Sequence, residues 1–204
     1  MVKYFPVQRG AAIQALTLSA TLAHRSRFGG APWLPGRGGL DALRPRAPNR
    51  RACPLLFQLA LDELPVPVAL PAILVQVFLP DMTRSAGRGA FVRVVDGQAN
   101  EGEPAQAEID YDRQAFPFVI GEPLDEQKRA VQESKLFGAP VTCALPEFET
   151  DFGRCADCRA PRTLLFHLEG DTVAEWSFGD SGWLVLAWCE KHPWDVSCSI
   201  FQVP

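Results

Sequence analysis

The sequence predicts an α+β fold that is rich in β-structure, with two pseudo-repeated antiparallel units and few helices. Two observations lead to this prediction. First, the apolar runs are short and are bounded by glycine, proline or aspartate, which is typical of buried strands. Second, two different motifs each occur twice along the chain, in the same order. Repeated motifs indicate that one structural unit occurs twice.

The repeated motifs are a Phe-Gly turn and a Leu-Leu-Phe strand. The turn reads FGGAP from Phe28 and FGAP from Phe137, and the strand reads LLFQL from Leu55 and LLFHL from Leu164. The two copies of each motif begin 109 residues apart. We therefore expect a single domain over 1–204, with two halves that are approximately 26–96 and 122–204.

Further short elements follow from the apolar pattern and from turn residues. Additional strands are expected over 72–78, 92–95, 183–188 and 200–203. The best helix runs over 124–136, because acidic residues occupy its first turn, Lys135 lies near its end and Gly138 lies just beyond it. Residues 11–23 fit either a helix or a strand, and the Gly-, Pro- and Arg-rich run 36–49 is expected to be a loop.

The composition indicates an ordinary folded protein. Of the 204 residues, 47% are hydrophobic and 22% are charged, which excludes disorder for most of the chain. No run of about 18 apolar residues occurs, and the N-terminus lacks the apolar core of a secretory signal. We therefore expect a cytoplasmic protein whose six cysteines are free thiols or metal ligands rather than disulfides.

These motifs resemble the YwqG-like family of bacterial proteins over roughly 26–203. The segments that carry the resemblance are FGGAPWLP (28–35), LLFQLALDEL (55–64), LFGAP (136–140), LLFHLEGD (164–171) and FGDSGWL (178–184). The resemblance implies a duplicated, β-rich α+β fold and little chemistry, because the family has no agreed activity. Members of such families occur as immunity proteins beside secreted toxins, including nucleases of type VI secretion systems.

The charge distribution suggests a surface for a basic partner. Residues 1–54 carry nine Lys/Arg and one acid, whereas the dense acidic stretch 96–126 contains a single Arg113. That stretch is either a solvated face or a surface that steers a basic protein by electrostatic attraction. The residues predicted to bind this partner are Glu101, Glu103, Glu108, Asp110, Asp112 and, as an aromatic anchor, Trp33. The basic N-terminal segment lacks interleaved aromatic residues, so no nucleic-acid partner is predicted, and no membrane partner either.

No catalytic residues are predicted. The sequence GDSG over 179–182 is similar to a serine-protease motif with Ser181 as the nucleophile, but no matching histidine motif occurs and a tight turn explains it. No P-loop, GxGxxG or HExxH motif is present. The four tryptophans around this turn are expected to pack in the core: Trp176, Trp183, Trp188 and Trp194.

The Cys155-Ala-Asp-Cys158 motif is the strongest chemical signal. A CxxC pair forms half of a zinc site or a redox dithiol, and zinc would need two more ligands. The other candidates for these ligands are Cys143, Cys189, Cys198, His167 and His192. Because none of them forms a second CxxC, the sequence reasoning predicts no bound metal and no cofactor, and it keeps Cys155 and Cys158 as candidate ligands. His167 is expected to be a buried polar residue of a strand.

The sequence therefore favours a non-enzymatic protein-binding module. Through the resemblance, we expect a cytoplasmic immunity protein that neutralises a secreted antibacterial nuclease toxin. The alternatives are a metal-binding protein centred on Cys155 and Cys158, and a protein that binds a small ligand between its two halves.

Overall fold

The chain forms short strands in two compact units. The structure, a computed structural model, describes residues 3–9, 26–30, 32–33, 53–66, 69–79, 90–96, 115–125, 134–138, 152–169 and 182–201. The terminal unit comprises 1–8 and 119–204, and the central unit comprises 9–118. Within the described ranges, no helix is long and apolar enough to cross a membrane.

Eleven strands and one short 3-10 helix, Leu61–Glu63, make up the regular structure of the described residues. The strands are β1 (Lys3–Arg9), β2 (Arg27–Gly29), β3 (Leu55–Ala60), β4 (Ile73–Phe78), β5 (Phe91–Asp96), β6 (Ala115–Ile120), β7 (Leu124–Asp125), β8 (Lys135–Leu136), β9 (Thr163–Glu169), β10 (Trp183–Cys189) and β11 (His192–Phe201). The structure therefore confirms a β-rich chain with antiparallel pairing, whereas the helical part of the predicted α+β fold does not appear in these ranges.

Each unit contains an antiparallel array in which neighbouring strands are hydrogen-bonded. In the terminal unit, β8 pairs with β9, β9 with β10, and β10 with β11, while β1 pairs with both β8 and β7. In the central unit, β2 pairs with β3, β3 with β4, and β4 with β5, while β6 lies on the other side of β2. The Phe-Gly strand, the Leu-Leu-Phe strand and the next two strands thus follow the same order in both units.

The middle strands of each array supply the core. Every residue of β3 and of β10 is buried, and only the first residue of β4 is partly exposed. Near-continuous Leu, Val and Phe runs are expected where a strand is covered on both faces. Full burial of one such side chain contributes about 1.5–3 kcal/mol. These runs therefore fix the strands that the sequence analysis predicted.

The predicted helix over 124–136 is wrong at both ends. Leu124–Asp125 forms β7 and Lys135–Leu136 forms β8, and both strands pair with β1, while 126–133 lie outside the described residues. Charge placement near the ends of the segment favoured a helix, but the segment has only a thin apolar stripe. Pairing with β1 instead satisfies the backbone groups at its ends. The sequence analysis did not predict β1 because Pro6 interrupts its apolar pattern.

A left-handed turn follows the first motif strand in each unit. Gly29 and Gly30 have φ of 64° and 73°, and Phe137 and Gly138 have φ of 60° and 79°. Glycine adopts this region at no steric cost, so Gly138 marks a turn after a strand instead of the end of a helix. Phe137 tolerates it while its ring contacts those of Phe5 and Trp188, with centroids 6.3 and 6.2 Å away.

The tryptophans and two predicted loop segments have different outcomes. Trp183 and Trp188 are buried as predicted, but Trp194 is 55% exposed, so the expectation that it packs in the core is wrong. Trp194 lies on β11, where it alternates with the buried Pro193. Trp176 and the segments 11–23 and 36–49 lie outside the described residues.

Candidate metal centre

A tight hairpin presents Cys155 and Cys158. Residues 153–162 fold back on themselves, with a bridge between Arg154 and Pro161. The backbone N–H of Cys155 donates to the carbonyl of Ala160 at 2.9 Å, and its own carbonyl accepts from the N–H of Arg159 at 3.0 Å. Arg159 has a φ of 60°, which closes the turn immediately after Cys158. We call residues 153–162 the knuckle.

A second tight turn presents Cys189 and His192. Cys189 ends β10 and His192 begins β11, and the two residues are paired across a two-residue loop of Glu190 and Lys191. A two-residue loop is the shortest common connection between antiparallel strands. It holds the residues on either side of it close together, so Cys189 and His192 face the same point.

The four side chains converge on one point. The Sγ of Cys155 lies 3.3 Å from the Nδ1 of His192, and the Sγ of Cys158 lies 3.6 Å from the Sγ of Cys189. The Sγ of Cys189 lies 3.8 Å from the same Nδ1. All four ligand atoms lie within 4.8 Å of one another. The knuckle and the β10–β11 turn therefore form one cluster of three thiols and one imidazole.

These separations match a tetrahedral zinc ion. With Zn–S bonds of about 2.3 Å and a Zn–N bond of about 2.0–2.1 Å, tetrahedral geometry places two sulfurs about 3.8 Å apart, and a sulfur and a nitrogen about 3.6 Å apart. The contacts within the cluster differ from these values by a few tenths of an ångström. The donor set, Cys₃His, is one that structural zinc sites use. The cluster therefore fits zinc in both chemistry and size.

Asp195 joins the knuckle to β11. Its carboxylate accepts a hydrogen bond from the backbone N–H of Ala156, at 2.9 Å, and another from the guanidinium of Arg162, at 2.6 Å. Ala156 lies between the two cysteines of the knuckle. The hydrogen bond from Arg162 is the main cause that lowers the pKa of Asp195 to about 2, and its contact with Cys155 acts in the same direction. The carboxylate is therefore charged at neutral pH and fixes the position of the knuckle.

Trp194 covers part of the cluster from the solvent side. Its indole N–H donates to the carboxylate of Asp157 at 3.1 Å, and its ring packs edge-on against the imidazole of His192, with centroids 5.3 Å apart. Cys155 and Cys189 are buried, whereas Cys158 is exposed. The cluster is thus closed on the protein side and reaches solvent at Cys158.

The structure brings together four of the seven metal-ligand candidates. His167 is buried on β9 and does not belong to the cluster. Cys198 lies on β11 opposite Leu186, and burial raises the pKa of its thiol to about 12. Cys143 lies outside the described residues. The sequence reasoning looked for a second CxxC and did not consider Cys189-Glu-Lys-His192 as a pair, although its spacing equals that of the first.

The predicted partner-binding residues do not join this site. Trp33 is fully buried, so it is not available as a surface anchor, and this part of the prediction is wrong. Its backbone N–H and carbonyl bond the side chains of Gln58 and Gln76, which hold it inside the central unit. The five acidic residues lie outside the described residues: Glu101, Glu103, Glu108, Asp110 and Asp112.

Comparison with known proteins gives no family and no relative. We found no protein-family model that matches the chain and no curated protein similar to it. The resemblance to the YwqG-like family stays a prediction.

Proposed function

We propose that the chain is a zinc-binding protein in which one ion, held by Cys155, Cys158, Cys189 and His192, joins the knuckle to the β10–β11 turn. The single observation that supports this proposal is the convergence of four ligand atoms within 4.8 Å. They come from two turns that lie 30 residues apart in the sequence. Two independent turns that each place two ligands on one point are typical of zinc knuckles and ribbons.

The donor set favours zinc with a structural role. Three thiolates and an imidazole are soft or borderline ligands, and a four-coordinate arrangement of this kind suits zinc rather than magnesium or calcium. Four protein ligands complete the tetrahedral shell, whereas catalytic zinc sites keep one position for water or substrate. The proposed ion therefore stabilises the fold of the terminal unit and leaves the surface for binding.

Elemental analysis of the purified protein tests the metal proposal. We expect one zinc per chain, retained after gel filtration, and loss of that zinc in Cys189→Ser. Cys198→Ser is the matched control, because Cys198 is a neighbouring thiol outside the cluster, and it should keep the metal. Substitution with Co²⁺ should give the absorption of a tetrahedral thiolate complex. Zinc content that is equal in Cys189→Ser and in the parent would exclude this site.

The proposal also includes a duplicated architecture. Phe28 of β2 lies opposite Phe57 of β3, and Leu136 of β8 lies opposite Phe166 of β9. The preceding register positions pair Arg27 with Gln58 and Lys135 with His167, and all four of these residues are buried. Equivalent residues are 108 or 109 positions apart, as the sequence motifs are. An experimental structure in which β2–β5 and β8–β11 do not superpose would refute the duplication.

A binding role remains the biological part of the proposal. The resemblance to the YwqG-like family and the acidic stretch 96–126 support an immunity protein, and both are arguments from the sequence. The direct test is whether the purified protein inhibits the nuclease activity of a toxin encoded beside it. A protein that leaves such a toxin fully active at molar excess would contradict this role.

A further inference from the structure

The three cysteines of the cluster differ in their access to solvent. Cys158 is exposed, whereas Cys155 and Cys189 are 0% and 2% exposed. The nearest sulfur described around Cys158 belongs to Cys189, at 3.6 Å, and it comes from the other turn of the cluster. An exposed cysteine with a second thiol in contact is the arrangement found in oxidation-sensitive sites.

We infer that Cys158 is an oxidation site for hydroperoxides and that the stable product is a disulfide between Cys158 and Cys189. This bond would join the knuckle directly to the β10–β11 turn. The accompanying release of zinc rests on the function proposed above, whereas the identity of the disulfide rests on the geometry of the chain alone.

The chemistry needs one equivalent of peroxide. The thiolate of Cys158 attacks one oxygen of the peroxide, the O–O bond breaks, and a sulfenic acid forms with loss of water or an alcohol. The thiolate of Cys189 then attacks the sulfur of Cys158 and displaces hydroxide, which leaves as water after protonation. With hydrogen peroxide, two thiolates, one peroxide and two protons give one disulfide and two waters. Zinc keeps only Cys155 and His192 as ligands and dissociates.

The geometry selects this disulfide over the one within the CxxC motif. The sulfurs of Cys158 and Cys189 must approach from 3.6 Å to the bonding distance of about 2.05 Å, a shift of roughly 1.5 Å. The Sγ of Cys155 instead contacts the Nδ1 of His192, at 3.3 Å. Two backbone hydrogen bonds of the knuckle also hold Cys155 in place. Cys155 is therefore buried and constrained, while Cys158 is exposed to the oxidant.

The cross-link would preserve the contact that zinc provides. A disulfide between residues 158 and 189 closes a loop of about 30 residues and restricts the unfolded chain. We therefore expect the oxidised, zinc-free protein to melt at a higher temperature than the reduced, zinc-free protein. In this way oxidation would release the ion without loss of the fold.

Peptide mapping after oxidation tests the inference. Cleavage after Lys and Arg places Cys155 and Cys158 in peptide 155–159 and Cys189 in peptide 163–191. A second cleavage before Asp157 separates Cys155 from Cys158. After hydrogen peroxide treatment of zinc-loaded protein, we expect the peptide containing Cys158 to be linked to that containing Cys189. A chromogenic chelator should detect one zinc released per disulfide.

The controls separate this inference from the metal proposal. Metal-free, reduced protein should give the same disulfide, so a protein that binds no zinc would refute the metal proposal while the map still decides the oxidation site. In Cys158→Ser, Cys189 should remain open to alkylation after peroxide treatment, and Cys198→Ser should behave as the parent does. A Cys155–Cys158 disulfide as the main product, or equal oxidation of Cys189 in Cys158→Ser, would overturn the inference.

Discussion

At the scale of single residues, Asp195 determines how the knuckle is held. One carboxylate bonds the backbone between the two cysteines and also pairs with Arg162, whose side chain is only 16% exposed. A charged acceptor that bonds a backbone N–H is stronger than a neutral one. The cluster therefore depends on a residue that is not a ligand, and nothing in the sequence around Asp195 marks it for this role.

Replacement of this carboxylate should weaken metal binding. In Asp195→Asn the side chain keeps its size but loses its charge, so Arg162 lacks its partner and the knuckle is held less firmly. Removal of residues that support metal ligands typically lowers metal affinity about 10–100-fold, and we expect a loss in this range. Competition with a chromogenic chelator measures it.

The matched control for Asp195 is Glu190→Gln. Glu190 lies in the neighbouring turn and accepts a hydrogen bond only from the hydroxyl of Thr163 among the contacts described for it, at 3.3 Å. Zinc affinity should remain that of the parent in this variant. An Asp195→Asn protein that unfolds more easily without metal yet binds zinc normally would show that Asp195 supports only the fold.

At the scale of elements, strands were predicted well where burial decides, and poorly where pairing decides. The runs of β3, β4, β9 and β10 are apolar enough to identify from sequence. The short β7 and β8 exist because β1 lies beside them, and a partner more than 100 residues away leaves no local signal. The same limit applies to Gln76, which seemed to interrupt an apolar run.

Gln76 in fact links three strands of the central unit. Its amide nitrogen donates to the carbonyl of Trp33 and to Oε1 of Gln58, both at 2.7 Å. Its amide oxygen accepts from Arg93 at 2.6 and 2.9 Å. Buried polar groups in contact with one another stabilise a fold when each finds a partner, and they destabilise it when one partner is removed.

Gln76→Leu should therefore destabilise the protein although leucine is apolar and of similar size. The carbonyl of Trp33 and the guanidinium of Arg93 each lose a partner, at a cost of about 1–3 kcal/mol per buried group. Urea unfolding measures the change. In the double variant with Arg93→Met, the combined cost should be smaller than the sum of the single costs, because the two side chains form one interaction. Additive costs would show that Gln76 and Arg93 act independently.

At the scale of the whole molecule, the candidate metal centre was only half visible in the sequence. Cys155 and Cys158 stand out as a motif, but their partners are 30 residues further along the chain. Two signals could have identified them: Cys189 and His192 have the same spacing as the first pair, and they follow directly after a strongly apolar strand. That position predicts a tight turn, and a tight turn brings both side chains to one side.

The location of all four ligands makes a prediction about how zinc stabilises the chain. Residues 155, 158, 189 and 192 belong to the terminal unit. An ion that binds only the folded state stabilises the structure that contains its ligands, by an amount that grows with its concentration relative to its dissociation constant. Removal of zinc should therefore speed amide hydrogen exchange in the knuckle, β10 and β11. Exchange in β3 and β4 should stay within error of the zinc-loaded protein.

Exchange mass spectrometry of the parent, with and without a chelator, provides the measurement, and Cys189→Ser provides the control. Without a complete ligand set, this variant should already show fast exchange in the knuckle, and the chelator should add nothing. Cys198→Ser should respond to the chelator as the parent does, because its thiol is outside the cluster. If the chelator instead speeds exchange equally in β3, β4, β10 and β11, zinc stabilises the chain as one cooperative structure. In that case the effect of the ion would extend beyond the unit that holds its ligands.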